Sequence, residues 1–134
     1  MISIDDRMAI LDLGARYNYA IDTGRSKDWA DTFTPDGVFD GPGGRAEGRE
    51  QLIEFCDGLG EQYPGAMHFN DNHLFEVDGD LVWHKCFLSL QVPGEDGATV
   101  VPLCYEDEVV KLDEKWLFRS RCVAPLGPAA RGAA

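Results

Sequence analysis

The part of this chain that most constrains its fold is residues 66 to 123, where long alternating runs are separated by gaps with room only for hairpin turns. The runs 66–77, 81–92, 99–111 and 115–123 read as strands, joined by Asp78-Gly79, by the loop Pro93-Gly94-Glu95-Asp96-Gly97 and by the turn Leu112-Asp113-Glu114. Connections this short can only reverse the chain, so an antiparallel meander follows. In the first run, strict alternation puts His68, Asn70, Asn72 and Leu74 on one face, and Met67, Phe69, Asp71, His73 and Phe75 on the other. An imidazole and two amides then look the same way, and that is where chemistry would sit.

The residues before the meander carry helical spacing instead. Asp5-Asp6 can cap a helix bearing Met8, Ile10, Leu11, Leu13, Ala15 and Ala20, and Thr23-Gly24 ends it. Ser26 caps a short second helix through Trp29 to Phe33, and Thr34-Pro35-Asp36-Gly37 is a turn by composition. Val38-Phe39 begins a short strand, a Gly-rich loop follows, and Gly48 to Gly60 reads as a third helix on Leu52, Ile53, Phe55 and Leu59. Helices first and a meander afterwards is the α+β pattern. The expected architecture is a cone-shaped α+β barrel, with a curved antiparallel sheet wrapped around N-terminal helices and an internal pocket. Residues 1–125 form one domain on this reading, and 126–134 form a flexible C-terminal tail with too little to bury.

Charge narrows the partners. With 12 Lys+Arg against 24 Asp+Glu, the net charge of −12 repels a phosphate backbone and an anionic membrane surface alike, which argues against nucleic acid and membrane as partners. The acidic start MISIDDRMAI lacks the basic and apolar regions of a signal peptide, so a cytoplasmic location is expected. Cys56, Cys86, Cys104 and Cys122 are widely spaced, and buried reduced thiols are their default state.

Several stretches together resemble a known family. ILDLGARYNYAID, WADTFTPDGVF, GRE, MHFNDNH with VDGD, YEDEVVK and WLFRSR are similar to the SnoaL-like branch of the nuclear-transport-factor-2-like superfamily, over residues from about 5 to 123. Within that branch the chain is most similar to members resembling bile-acid dehydratases, scytalone dehydratase and hexachlorocyclohexane dehydrochlorinase. The resemblance implies catalysis inside the cone without metal or organic cofactor. It places the catalytic histidine at His68, its supporting aspartate at Asp22, a dehydratase-type tyrosine at Tyr17 and an arginine after the Trp-x-Phe run at Arg121. It also favours a homo-oligomer, a trimer ahead of a dimer.

The same residues make chemical sense without the family. Imidazole titrates near neutrality, so His68 facing an apolar pocket can take up a proton and return it. Asp22, accepting a hydrogen bond from the other ring nitrogen, would fix the tautomer and stabilise the imidazolium. Tyr17 can donate to a carbonyl or a departing hydroxyl, and Arg121 can hold developing negative charge. Asn70 and Asn72 are candidate substrate contacts on His68's face. Tyr17 and Asp22 lie about 140° apart around a continuous helix, so the helix must stop at Asp22 for both to reach one pocket. The resemblance implies a dehydratase-type elimination on a small hydrophobic, ring-containing hydroxy-carbonyl or polycyclic compound. Isomerisation, aldol cyclisation and retro-aldol cleavage use the same groups.

Each candidate also has a structural alternative. Asp22 can begin a turn, Tyr17 can be a core residue, and Arg121 can pair with Asp107 or Glu106 across the sheet. Asn70 and Asn72 can satisfy strand or loop groups. His73 and His84 read as structural, and a metal site at His68-x4-His73 fails, because an odd separation along a strand sends the two rings to opposite faces. In the run from Tyr105 to Glu108, Glu106 or Glu108 is a candidate to face the pocket in place of Asp107. Trp29, Phe33 and Trp116 read as core. A non-catalytic ligand-binding or assembly module is the competing class, and an open cavity holding a bonded His68–Asp22 pair would discriminate against a filled cone. Outward-facing Phe69 and Phe75 would leave an apolar patch for a second copy to cover.

Overall fold

The computed structural model describes residues 2–126, and the expected tail lies, from residue 127 onward, outside the described residues. Helix α1 spans Ile4–Asp22, with Ser3 rather than Asp5-Asp6 as its cap: the Asp6 N–H donates to Ser3 Oγ at 3.0 Å. Asp5 and Asp6 occupy the first turn, where carboxylates suit the helix dipole. Ile10, Leu13, Tyr17, Ala20 and Ile21 form the buried face, and Met8 is exposed. At the other end Gly24 adopts φ +72°, Arg25 N–H donates to Ala20 O and Gly24 N–H donates to Ile21 O. This double closure is the Schellman pattern, and it stops the helix at Asp22.

Helix α2 covers Ser26–Ala30, and α3 covers Arg49–Gln62. The strands are β1 (Phe33–Gly41), β2 (Gly44–Glu47), β3 (Met67–Asp78), β4 (Leu81–Gly94), β5 (Gly97–Leu112) and β6 (Lys115–Pro125). They form one sheet in the order β2-β1-β6-β5-β4-β3. The class is α+β as expected, with one difference: β1 pairs with β6 in parallel, so the sheet is mixed. The meander itself is antiparallel throughout, and Asp113 and Glu114, both at positive φ, make a two-residue turn of the kind that matches strand twist.

Two local features differ from the expectation. Thr34 to Gly37 does not precede β1 but bulges out of it, since Phe33 pairs with Phe118 while the next paired residue is Val38 with Ser120. The Gly-rich stretch forms a tight turn and a short strand, β2, of which only Ala46 is buried. The concave face of the sheet packs on the helices through Tyr17 of α1, Trp29 of α2 and Leu52 of α3, against Phe33, Phe39 and Phe118 of the strands, with Trp116 half-buried at the margin.

A third departure reorders the first strand. β3 carries a bulge between Asp71 and Leu74, where three steps on β3 match two on β4, from Phe87 to Lys85. Asn72 takes φ +56° there, a left-handed conformation that asparagine tolerates better than most residues. Every side chain beyond the bulge changes face. His73 and Phe75 therefore point inward with His68 and Asn70, while Leu74 is 60% exposed and Asn72 faces solvent. The expected shared face of His68, Asn72 and Leu74 is thus corrected, as is the outward placement of Phe75.

Candidate functional site

A cavity of about 530 Å³ opens between the concave sheet, the C-terminal turns of α1 and α3. Its polar lining side chains are Asp22, His68 and the tyrosines Tyr17, Tyr63 and Tyr105; the rest of the wall is apolar, with Leu88, Leu90, Val101 and Leu103 along β4 and β5. Few polar groups in an apolar wall is the composition expected of a small-molecule site.

Asp22 and His68 meet at the edge of this cavity. His68 Nδ1 lies 2.6 Å from Asp22 Oδ1, and the His68 backbone N–H donates to Asp22 Oδ2 at 3.0 Å. Both carboxylate oxygens are therefore engaged by one residue, which fixes the aspartate and the histidine relative to each other. A carboxylate only accepts, so Nδ1 carries the hydrogen, and in the neutral imidazole it is Nε2 that holds the lone pair. The termination of α1 at Asp22 lets this happen: Tyr17, buried on the helix face, and Asp22, at the helix end, both line the cavity.

Tyr17 is fully buried, with its ring edge-on to His68 at 6.4 Å between centroids. Its hydroxyl accepts a hydrogen bond from the Tyr105 hydroxyl at 3.3 Å, which leaves the Tyr17 proton free to be donated elsewhere. Burial pushes the Tyr17 phenol up to about 12, against a downward pull from Arg121, and burial raises Tyr105 well above the ordinary tyrosine value. Both phenols remain protonated donors through the physiological range.

Arg121 is not among the residues lining the cavity. Its Nε donates to Asp107 Oδ1 at 2.9 Å and its Nη2 to Oδ2 at 3.2 Å, and the guanidinium covers the ring of Tyr105 at 3.5 Å and that of Tyr17 at 4.4 Å. Of the two roles open in the sequence, the structure realises the cross-sheet pairing with Asp107. Burial works against the arginine's charge, but Asp107 and the tyrosines more than offset it and raise its pKa. Asp107 itself is buried, so the inward residue of the acidic run is Asp107 and not Glu106 or Glu108; Glu108 instead bonds Arg119 on the outer face.

The two asparagines lie elsewhere. Asn70 Oδ1 accepts from Asn18 Nδ2 at 2.7 Å, and its Nδ2 donates to Phe87 O at 3.1 Å, so it ties α1 and β4 to β3 and is not a lining residue. Asn72, on the bulge, faces away from the cavity. Tyr105, which the sequence reading passed over, belongs to the site. The available signal was its parity with Asp107 and Val109 along β5, which all point inward once one of them does.

His73 and His84 do more than fill space. His84 Nδ1 lies 2.7 Å from Asp107 Oδ2, and His84 Nε2 lies 3.0 Å from His73 Nδ1. With Asp107 and Arg121 these residues form a continuous polar chain behind Tyr17 and Tyr105, buried except at half-buried His73.

A family model described as the SnoaL-like domain matches residues 3–122. Among solved structures, the chain is similar to a candidate aromatic ring hydroxylase from Novosphingobium aromaticivorans, with 28% identity and a TM-score of 0.85 over 96% of this chain and 94% of that one. A Catenulispora acidiphila protein solved in complex with S-DNPA is 29% identical, with a TM-score of 0.81 over 90% of this chain and 93% of that one. A candidate scytalone dehydratase from N. aromaticivorans, at 23% identity and a TM-score of 0.78 over 90% and 83%, shares the fold. No curated protein matches the chain. Among the described residues no helix is long and apolar enough to cross a membrane.

Proposed function

The chain belongs to the SnoaL-like domain family, and on that footing we propose that it is a lyase that eliminates water from a hydrophobic, ring-containing hydroxy-carbonyl or polycyclic compound held in its cavity. The observation that carries this is the 2.6 Å contact between His68 Nδ1 and Asp22 Oδ1 at the edge of an open, largely apolar space of about 530 Å³. A cone filled by side chains would have favoured an assembly module. Such a volume suits a fused-ring molecule.

In the proposed reaction His68 Nε2 removes the proton on the carbon next to the substrate carbonyl. The electron pair of that C–H bond moves towards the carbonyl oxygen, and Tyr17 stabilises the resulting enolate by donating a hydrogen bond. The pair then returns to form the carbon–carbon double bond as the β-hydroxyl leaves. The imidazolium, held by Asp22, gives its proton to that oxygen, so water departs and the enzyme regains its starting state. Base catalysis of this kind contributes about 10²- to 10⁴-fold in rate, and the aligned carboxylate is what lets one residue serve as base and then as acid. Neither metal nor organic cofactor has a role in this scheme. Arg121 acts on the site through Tyr17 and Tyr105, whose rings it covers, rather than by touching the substrate.

The assembly is proposed to be a homo-oligomer, with a trimer favoured over a dimer. Phe69, Trp83 and Phe87, at 45%, 43% and 37% exposure, supply apolar area on the convex face of the sheet.

The test is a panel of β-hydroxy-ketones, hydroxy-steroids and hydroxylated naphthalenones incubated with the purified protein. Elimination creates a conjugated chromophore, so product appears as new ultraviolet absorbance and as a mass lower by one water. A panel in which ligands bind but none is turned over would favour a binding module instead.

A further inference from the structure

The bulge in β3 has a consequence beyond the cavity. It turns His73 inward, against His84, and two residues further along β4 the Cys86 side chain points to the same interior. One donor atom from each of His73, His84 and Cys86 lies within 4.8 Å of the others. The histidine nitrogens facing each other, His73 Nδ1 and His84 Nε2, are 3.0 Å apart. We propose that His73, His84 and Cys86 form a binding site for a borderline-soft divalent cation, zinc above all, separate from the His68–Asp22 site.

Three independent features point this way. The donor set of two imidazoles and one thiol suits zinc and excludes magnesium and calcium, which require oxygen ligands. The outer nitrogen of His84 is bonded to buried Asp107, and a carboxylate behind a histidine is the arrangement that orients a metal ligand and raises its basicity. The strand spends a left-handed Asn72 and a break in its ladder to bring His73 to this position, and bulges commonly re-aim a functional side chain.

Binding needs a local rearrangement. Tetrahedral coordination with Zn–N of about 2.0–2.1 Å and Zn–S of about 2.3 Å spaces the ligand atoms roughly 3.3–3.7 Å apart. The imidazoles, now 3.0 Å apart and within 12° of parallel, separate by a few tenths of an ångström and tilt so that both lone pairs meet the ion, and the Cys86 sulfur, now within 4.8 Å, closes on them. His73 is half-buried and offers the path of entry, while His84 and Cys86 are buried. Two costs oppose binding. Arg121 Nη2 lies 3.9 Å from Cys86 Sγ, but its charge is already matched by the two hydrogen bonds to Asp107. Burial also pushes the Cys86 thiol up to about 12, so the ion must displace that proton, and binding releases it. Three protein ligands leave a fourth position for water.

The experiment titrates the full purified chain with zinc chloride by calorimetry and, separately, with cobalt chloride by absorption spectroscopy. One equivalent per chain is expected, with a thiolate-to-cobalt charge-transfer band in the near ultraviolet. Cys86→Ser should abolish that band, and His73→Gln, at the half-buried end of the cluster, should weaken zinc binding at least tenfold. Cys122→Ser and His68→Ala should leave the binding unchanged. Circular dichroism identifies any variant that fails to fold, and His73→Gln keeps the test decisive if Cys86→Ser does. The proposal is overturned if wild-type protein binds no zinc below millimolar concentration, or if the bound ion is indifferent to His73→Gln and Cys86→Ser.

Discussion

Replacing Asp107 by alanine should destabilise the protein far more than it disturbs any exposed surface. The Asp107 carboxylate is 1% exposed and accepts from His84 Nδ1 at 2.7 Å, Arg121 Nε at 2.9 Å and Arg121 Nη2 at 3.2 Å. Its removal leaves the Arg121 cation 1% exposed with no counter-charge, and Arg121 Nη1 already lacks a partner. Taking one partner from a buried ion pair costs about 3–5 kcal/mol because the other charge stays desolvated. The orphaned His84 donor adds to that, though the two costs overlap, so about 4 kcal/mol is a fair expectation. For a chain of 134 residues an unfolding entropy of about 0.28 kcal/mol/K converts this to a fall in Tm of roughly 14 °C. Thermal melts by circular dichroism at matched protein concentration read it directly. Removing both charges, as in Asp107→Leu with Arg121→Met, should recover much of the loss, because no charge is then left buried and alone. A fall below about 1 kcal/mol in Asp107→Ala would mean that water reaches Arg121, and the picture of a sealed cation behind the tyrosines would be wrong.

Asp22→Asn keeps the shape of the site but can present an amide N–H to Nδ1 and so stabilise the wrong tautomer; kcat should fall about 10²- to 10⁴-fold with the fold intact by circular dichroism. Tyr17→Phe should cost about 2–4 kcal/mol of transition-state stabilisation, read as kcat/KM, since it removes one donor. Because the Tyr17 phenol rises to about 12 in the fold, the unfolded chain loses that proton first; stability is fully present below about pH 10 and declines by up to about 3 kcal/mol as pH climbs from there towards 12, a decline that urea titrations should find shallower in Tyr17→Phe. Light scattering at micromolar protein should give an oligomeric mass, and Phe69→Glu, on the convex face, should reduce it; a wild-type monomer would remove the oligomer from the account.

Much of the fold could be read from the sequence because it rests on local signals. The meander followed from turn chemistry and alternation, and the end of α1 at Asp22 followed from Thr23-Gly24. That end in turn made the Asp22–His68 contact possible. The parallel β1–β6 pairing had no local signal, since it joins residues some eighty positions apart and depends on how the sheet closes. The bulge at Asn72 was the costlier omission. A one-residue insertion reverses every later side chain, so Asn72 and Phe75 exchanged faces with what alternation implied, and His73 joined the interior. Asn72 was itself a hint, being a residue type that tolerates positive φ, but asparagine is also common in regular turns. Arg121 shows a different limit: its distance from the cavity is decided by Asp107 on the neighbouring strand, a pairing that alternation permits but does not select.

The proposed mechanism rests on His68, oriented by Asp22, as the base. The most direct measurement is kcat/KM of His68→Ala beside wild type on the best substrate of the panel, with circular dichroism confirming the fold and the His68→Ala/Asp22→Ala double variant alongside. A loss of about 10²- to 10⁴-fold is expected, and the double variant should be hardly worse than the worse single one, because the two residues act as a unit. Turnover near the wild-type level in His68→Ala would place the base elsewhere and contradict the mechanism built on the 2.6 Å His68–Asp22 contact.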